Sequence, residues 1–186
     1  MYDEEEAFVE FLKLKEEHLE QILKWRTSEH VTKYMFTDVE YNLDRQKKWF
    51  ERISSDSTSR YWLITSKEKQ LGLVSLTNID RHHLRAYWAY YIGDTQYNMV
   101  GAMIGPYIYN YAFQKLGFNK LLGEVMAHND NVRKIHLKHG CTEVGHYQQH
   151  ILKDGVFHDV YIYEMLADEW KKRSASYDRF VGSFEE

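Results

Sequence analysis

Two features of this 186-residue chain have the residue types and spacing for chemistry. The first is residues 93–113, Gly-Asp-Thr-Gln-Tyr-Asn-Met-Val-Gly-Ala-Met-Ile-Gly-Pro-Tyr-Ile-Tyr-Asn-Tyr-Ala-Phe. An apolar run over 86–92 ends at Gly93 and a turn follows. Met103, Tyr107, Ile108, Tyr111 and Ala112 then recur at helical spacing. Strand, turn and helix in that order aim unpaired backbone N–H groups at an anion, such as the phosphates of a cofactor. A buried strand–helix unit with no ligand is the alternative, because short glycine motifs are weak signals. The second feature is Glu124, the one carboxylate in the apolar run 121–126. Apolar surroundings push a carboxylate pKa up, toward the range of a general base. On an alternating strand the same residue could instead face solvent.

The ten histidines raise the question of a metal. His136 and His139 lie three apart on a helical stretch, and His146 and His150 four apart on a strand. Neither pair has a third ligand at zinc-like spacing, so no metal is expected. His82 and His83 read as a solvated loop pair. Cys141 is the only cysteine. No intramolecular disulfide can form, and a reducing, cytoplasmic setting is expected.

Length suggests one domain, 1–186, with its core at about 8–172 and both tails frayed. The formal net charge of -4 leaves no global basic footprint for nucleic acid. No apolar run approaches the ~20 residues of a membrane span, so neither nucleic acid nor membrane is an expected partner. Fifteen tyrosines, five tryptophans and nine phenylalanines suit a lined pocket, and equally a Tyr-rich core or interface.

The elements that must position these groups follow from periodicity. Residues 8–15 alternate as a strand, 16–27 carry Leu19, Ile22, Leu23 and Trp25 as a helix, and 31–37 is an irregular connection. Residues 42–54 form a second helix, with Asn42 or Asp44 as its cap and Trp49, Phe50 and Ile53 on its apolar side. Strands over 60–65, 71–79 and 84–92 make a meander. After the central helix come a strand over 119–126, a helix capped near Asn129 and ended at Gly140, and strands over 143–152 and 156–166. Lys153-Asp154-Gly155 turns the last pair as a hairpin. A short helix over 167–172 follows. Strands mixed with helices give the class α+β, or mixed α/β: one central, mostly antiparallel mixed sheet with helices on both faces.

That order resembles the GNAT superfamily of acyl-CoA-dependent N-acetyltransferases over about residues 8–166. Gln96-Tyr97-Asn98-Met99-Val100-Gly101 is similar to the family's Q/R-x-x-G-x-G/A pyrophosphate loop, with Met99 in place of the first glycine. Asn129 to Val132, and on through Lys138-x-Gly140, resembles the family's next helix. His136 stands where Tyr is usual there, and Cys141 where Phe is usual. The stretches 33–37, 72–80 and 153–160 look like one branch. Its enzymes acetylate the 4-amino group of a nucleotide-linked 4-amino-4,6-dideoxy sugar in pseudaminic acid biosynthesis.

The resemblance implies acetyl-CoA as co-substrate and direct transfer to the amine of a small acceptor, with no metal. Backbone amides of Tyr97, Asn98, Met99, Val100, Gly101 and Ala102, beside Gln96, would hold the pyrophosphate. Met99 is tolerable if its side chain points away. The family register starts the central helix near Met99, so Pro106 falls inside it and a kink over 102–106 is expected. The pantetheine arm would pair with the strand carrying Tyr90, Tyr91 and Ile92 where it splays from 121–126. Asn129 would bond the pantetheine amide or cap its helix, or both, and Lys138 completes the cofactor set. Glu124 would be the base, with Ser75 relaying the proton through water. His136 would be the acid, as an imidazolium; alternatively it sits near a helix C-terminus for electrostatic reasons. Trp25, Arg26, Lys33, Tyr34, Met35, Phe36, Tyr61 and His158 are the acceptor-pocket candidates, the Arg–Lys pair suiting a nucleotide diphosphate and the aromatics its base. Ordinary packing accounts for any one of them. The rivals are an acetyltransferase for protein N-termini or polyamines, and a catalytically silent acyl-CoA-binding module. Assembly as a homodimer is compatible with all of these.

Overall fold

The computed structural model describes residues 9–186. Phe8, expected to open the first strand, and the acidic segment 1–6 lie outside them. The chain begins with β1 (Val9–Lys13), a 3-10 turn (Glu16–His18), α1 (Leu19–Arg26) and α2 (Glu29–Thr32). Next come α3 (Leu43–Ser55) and the meander β2 (Arg60–Ser66), β3 (Lys69–Asp80) and β4 (Arg85–Ile92). A 3-10 turn (Thr95–Val100) leads into α4 (Gly101–Asn110), which ends in a π-helical turn (Tyr111–Lys115). Then follow β5 (Lys120–Met126), α5 (Asp130–His139), β6 (Thr142–Lys153), β7 (Val156–Leu166), α6 (Ala167–Arg173) and β8 (Ser183–Phe184).

Among the described residues these strands form one sheet in the order β6-β7-β5-β4-β3-β2-β1-β8. Only β4–β5 and β1–β8 run parallel. Strand alternation sends neighbouring side chains to opposite faces. Trp62 and Val74 therefore join the core under α4, with Ile104, Ile108 and Trp170. Leu63 and Leu73 join a second core with Ile22 and Trp25 of α1, against which Trp49, Phe50 and Ile53 of α3 pack. Helices thus cover both faces, as the periodicity implied.

α3 is capped by Asn42, whose side chain accepts the Arg45 N–H at 3.0 Å. α5 stops at Gly140, in the left-handed region at φ 89, where a Cβ would lie 2.3 Å from Arg173. Residues 31–37, expected to be irregular, begin inside the single helical turn of α2.

The C-terminal stretch is docked rather than frayed. β8 extends the sheet beyond β1, Phe184 stacks on Phe11 and Tyr111, and Trp62 donates its indole N–H to the Glu185 carbonyl. Asn110, buried in α4, donates to the carbonyls of Tyr177 and Phe180 and accepts from the Trp170 indole, all at 2.8–3.0 Å. Tyr177, Phe180 and Phe184 supply the aromatic contacts of this docking. No helix among the described residues is long and apolar enough to cross a membrane.

Candidate active site

The site follows from a failure of pairing. β4 and β5 are bonded only where Arg85–Tyr87 meets Lys120–Leu122. Beyond Tyr87 and Leu122 the strands part, and the gap opens into two adjoining cavities of about 510 and 460 Å³. Both are bounded by Arg26, Met35, Tyr61, Ser75, Ala89 and Tyr90. The segment 33–42 closes them from outside.

The gap lets residues from opposite faces of the sheet reach one space. On β5, Gly123 faces α5: a Cβ there would sit 3.0 Å from Cε1 of His136. Glu124, next along the strand, projects to the other face, half-buried in the wall of the same cavity as His136. No hydrogen bond or ion pair engages its carboxylate among the described residues. Ser75 lies on the Glu124 side, buried opposite Ala89, with its hydroxyl 3.5 Å from the Ala89 carbonyl. A free carboxylate, a hydroxyl and a ring nitrogen thus converge on the break in the sheet.

His136 departs from the expected imidazolium. It is 5% exposed, stacked on Tyr163 at 5.1 Å and edge-on to Trp88 at 5.4 Å. Burial, with His139 nearby, pushes its pKa down to about 4. The ring is neutral at neutral pH, so it can donate or accept a hydrogen bond but cannot serve as a cationic acid. This also makes it an acid-sensitive element of stability. The unfolded chain binds a proton at its ordinary pKa of about 6.5, whereas the folded chain refuses one until about pH 4. The stabilisation is complete above pH 6.5 and lost as pH falls toward 4, by about 3 kcal/mol over that window. Burial lowers His139 and His18 as well, so they add to the same slope. Urea unfolding across pH 4–7 should therefore show a shallower loss in His136→Gln than in the wild type. Parallel curves would refute this origin.

The turn expected to hold phosphates is folded on itself. Asp94 caps it: its side chain accepts the Gln96 N–H and its carbonyl the Tyr97 N–H, both at 3.0 Å. The Gly101 N–H donates back to the Asn98 and Met99 carbonyls. α4 proper starts at Gly101, two residues after the family register. The Tyr97 and Gly101 amides, two of the six residues in the expected cradle from Tyr97 to Ala102, are therefore bonded within the turn in this state. Other features fit an anion. Met99 is 83% exposed and points away, as tolerance of that residue required. Lys69 donates to the Tyr97 hydroxyl at 2.8 Å, placing a cation beside the turn; sequence spacing gave no sign of it. Tyr90 and Ile92 lie against Gly101, where a Cβ would be 3.3 Å from the Tyr90 ring. Tyr91 lies on the opposite face, against the core under α1 and α3, so of these three only Tyr90 and Ile92 lie on the α4 face.

Helix α4 continues unbroken through Pro106 and the stretch 102–106 where a kink was expected. Pro106 has no N–H for the Ala102 carbonyl four residues earlier. The imidazole of His139 supplies the missing donor, with Nε2 3.0 Å from that oxygen. Asn129 caps α5, its side chain accepting the Val132 N–H at 3.4 Å, and also lines the cleft. Lys138 is exposed on α5, outside the cleft lining.

On the acceptor side the structure brings Arg26, Tyr34, Met35, Phe36 and Tyr61 to the cleft. It does not bring Trp25, Lys33 or His158. Trp25 is core under Gly93, where a Cβ would be 2.1 Å from the indole. Lys33 is exposed over the Tyr34 ring, and His158 packs on His128 at 5.0 Å. Arg45, Trp49 and Arg52 line the cleft from α3 and were missed. Their i, i+4, i+7 spacing on one helix face was the available signal.

Charge in this half of the cleft is unbalanced. Glu40 is paired with Arg45 at 2.7 Å, and Asp38 with Lys153 of the hairpin. No carboxylate is paired with Arg26 or Arg52 among the described residues. One nitrogen of Arg26 donates to the carbonyl and hydroxyl of Thr37 at 2.8 and 3.0 Å. The other, Nη1, is buried with no partner.

Residues 9–142 match the model of the acetyltransferase (GNAT) domain. The chain is 24% identical over 132 residues to acetyltransferase PseH of Campylobacter jejuni, covering 71% of this chain and 82% of that protein. Its fold is similar to that of spermidine N-acetyltransferase from Vibrio cholerae in complex with CoA and spermine, with TM-score 0.82 and 18% identity over 88% of this chain and 98% of that one. A dodecameric structure of that enzyme has TM-score 0.76 at 18% identity, over 89% and 98% of the two chains. The parted strands, the capped turn at the head of α4 and the family match over 9–142 agree, and the chain belongs to the GNAT acetyltransferase family.

Proposed function

We propose that this N-acetyltransferase moves an acetyl group from acetyl-CoA directly to the primary amine of a nucleotide-linked 4-amino-4,6-dideoxy sugar. The unpartnered Nη1 of Arg26 carries the choice of acceptor. A half-buried cation whose Nη1 has no partner calls for an anionic one, and a diphosphate supplies it. Arg52 adds a second uncompensated charge, and Tyr34, Phe36 and Tyr61 offer faces for a base. The resemblance to the sugar acetyltransferases and the likeness to PseH support the same reading.

The thioester supplies an activated acetyl group when bound. The β4 edge left unpaired beyond Tyr87 would hold the pantetheine arm, and the turn before α4, with Lys69, would hold the phosphates after its inward amide bonds reopen. Glu124 would take the proton released by the attacking amine, directly or through a water on Ser75. The amine flanked by electron-withdrawing ring oxygens is less basic than lysine, so a modest base suffices. A cytoplasmic setting suits the single buried cysteine. Pairing of two copies is supported by the exposed apolar residues of the β6–β7 end of the sheet, Val144, Tyr147, Leu152, Val156 and Phe157.

Polyamine acetylation is the second reading, favoured by the spermine-bound neighbour of this fold. The two are separated by one panel with CoA release as readout. The sugar nucleotide should be acetylated with a kcat/KM well above that of spermidine. Arg26→Met should cut the sugar-nucleotide value by about 10- to 100-fold, the worth of a charged hydrogen bond, and leave spermidine unchanged. Preference for spermidine in the wild type, or equal losses on both acceptors in the variant, would overturn the assignment.

A further inference from the structure

The imidazole of His136 has one nitrogen toward the cleft and one toward the core, and the core side is occupied by sulfur. Nδ1 lies 3.7 Å from Sγ of Cys141. The Cys141 backbone N–H donates to the His136 carbonyl at 3.0 Å, so the two residues are locked across the end of α5. Sγ is also 3.1 Å from the hydroxyl of Tyr109, which is fully buried. Nε2 and Cε1 lie on the Gly123 side, where the missing Cβ leaves the ring room against the sheet. Among the described residues no hydrogen bond engages Nε2.

We propose that Cys141 is a positioning residue: it keeps the single proton of His136 on Nε2 and so presents an N–H donor to the cleft, where the leaving sulfur of a thioester would accept it. This rests on the acetyl-transfer reading above. The order of donors follows from chemistry. Burial pushes the Cys141 thiol up to about 11, so it carries its hydrogen at neutral pH. An unprotonated imidazole nitrogen is a stronger acceptor than a phenol oxygen. Of the two donor orders the geometry admits, we take the one that gives the S–H the stronger acceptor: the S–H donates to Nδ1, and the Tyr109 O–H donates to sulfur. Nδ1 is an acceptor in that arrangement, and the ring hydrogen must be on Nε2. As the tetrahedral adduct collapses, the C–S bond breaks and the electron pair goes to sulfur. The Nε2–H bonds that thiolate without leaving the ring. The proton that finally neutralises it is the one the amine lost, so no imidazolate forms.

The test uses the full chain with 15N-labelled histidine, His136 being assigned by comparison with His136→Gln. Long-range 1H–15N spectra of the wild type without substrate should show His136 as the Nε2–H tautomer; an Nδ1–H tautomer would overturn the proposal. Cys141→Ala should lower kcat roughly tenfold with the acceptor KM unchanged, and Cys141→Ser, which keeps a donor on the same side of the ring, should recover most of it. A wild-type kcat in the alanine variant, or a serine variant as slow as alanine, would also overturn it. The tautomer is read without any acceptor, so a failed substrate panel and a failed tautomer are separate results.

Discussion

Replacing Glu124 with glutamine is expected to lower kcat by about 100-fold or more at neutral pH, the usual contribution of a positioned general base. Acetyl-CoA affinity should be unchanged, because Glu124 lies on the face of β5 opposite the one packed against α5. The fold should be unaffected too. The carboxylate makes no hydrogen bond or ion pair among the described residues, so an isosteric amide removes no structural contact, and the melting temperature should hold. Steady-state turnover, with calorimetric titration of acetyl-CoA, separates the outcomes. Unchanged turnover removes Glu124 as the base, whereas lost cofactor affinity would make it a binding residue. Ser75→Ala should have a smaller effect, since a water can replace one hydroxyl in a relay.

The sequence pattern carried the order of elements because each element had its own period. The apolar runs of β2–β4, the Asn42 cap and the Gly140 stop are local signals, and local signals survive into the fold. What it could not carry was set by neighbours distant in the chain. His136 reads as an imidazolium near a helix C-terminus until Trp88, Tyr163 and Cys141 close around it and burial removes its charge. Arg26 and Lys33 looked like a pair, yet α1 turns one into the cleft while the other stays on the surface. Lys138 and Trp25 lie outside the cleft lining for the same reason: their elements turn them to another face. Glu124, Ser75, Tyr34, Met35, Phe36 and Tyr61, named from the sequence, line one cavity because a gap between two strands draws residues from both faces to one place.

Pro106 shows how such a distant neighbour can rescue a local conflict, and it gives the largest expected effect on stability. Proline inside a helix leaves the carbonyl four residues earlier without its donor. Here that oxygen, on Ala102, is bonded by His139, which is 4% exposed and comes from another helix. Gly105 makes the approach feasible, since a Cβ there would be 2.7 Å from Nδ1 of the same ring. His139→Ala should therefore cost about 3 kcal/mol, from an unsatisfied buried carbonyl together with the cavity left by the ring. The cost should depend on Pro106. In a Pro106→Ala background the restored N–H can take over the Ala102 carbonyl, and only the cavity part remains. The two substitutions should then couple by about 1 kcal/mol, well outside the error of independent sites. Chemical denaturation of the wild type, the two single variants and the double variant measures it. Strict additivity would mean that the ring of His139 stabilises α4 by filling space alone, and that Pro106 is tolerated for some other reason.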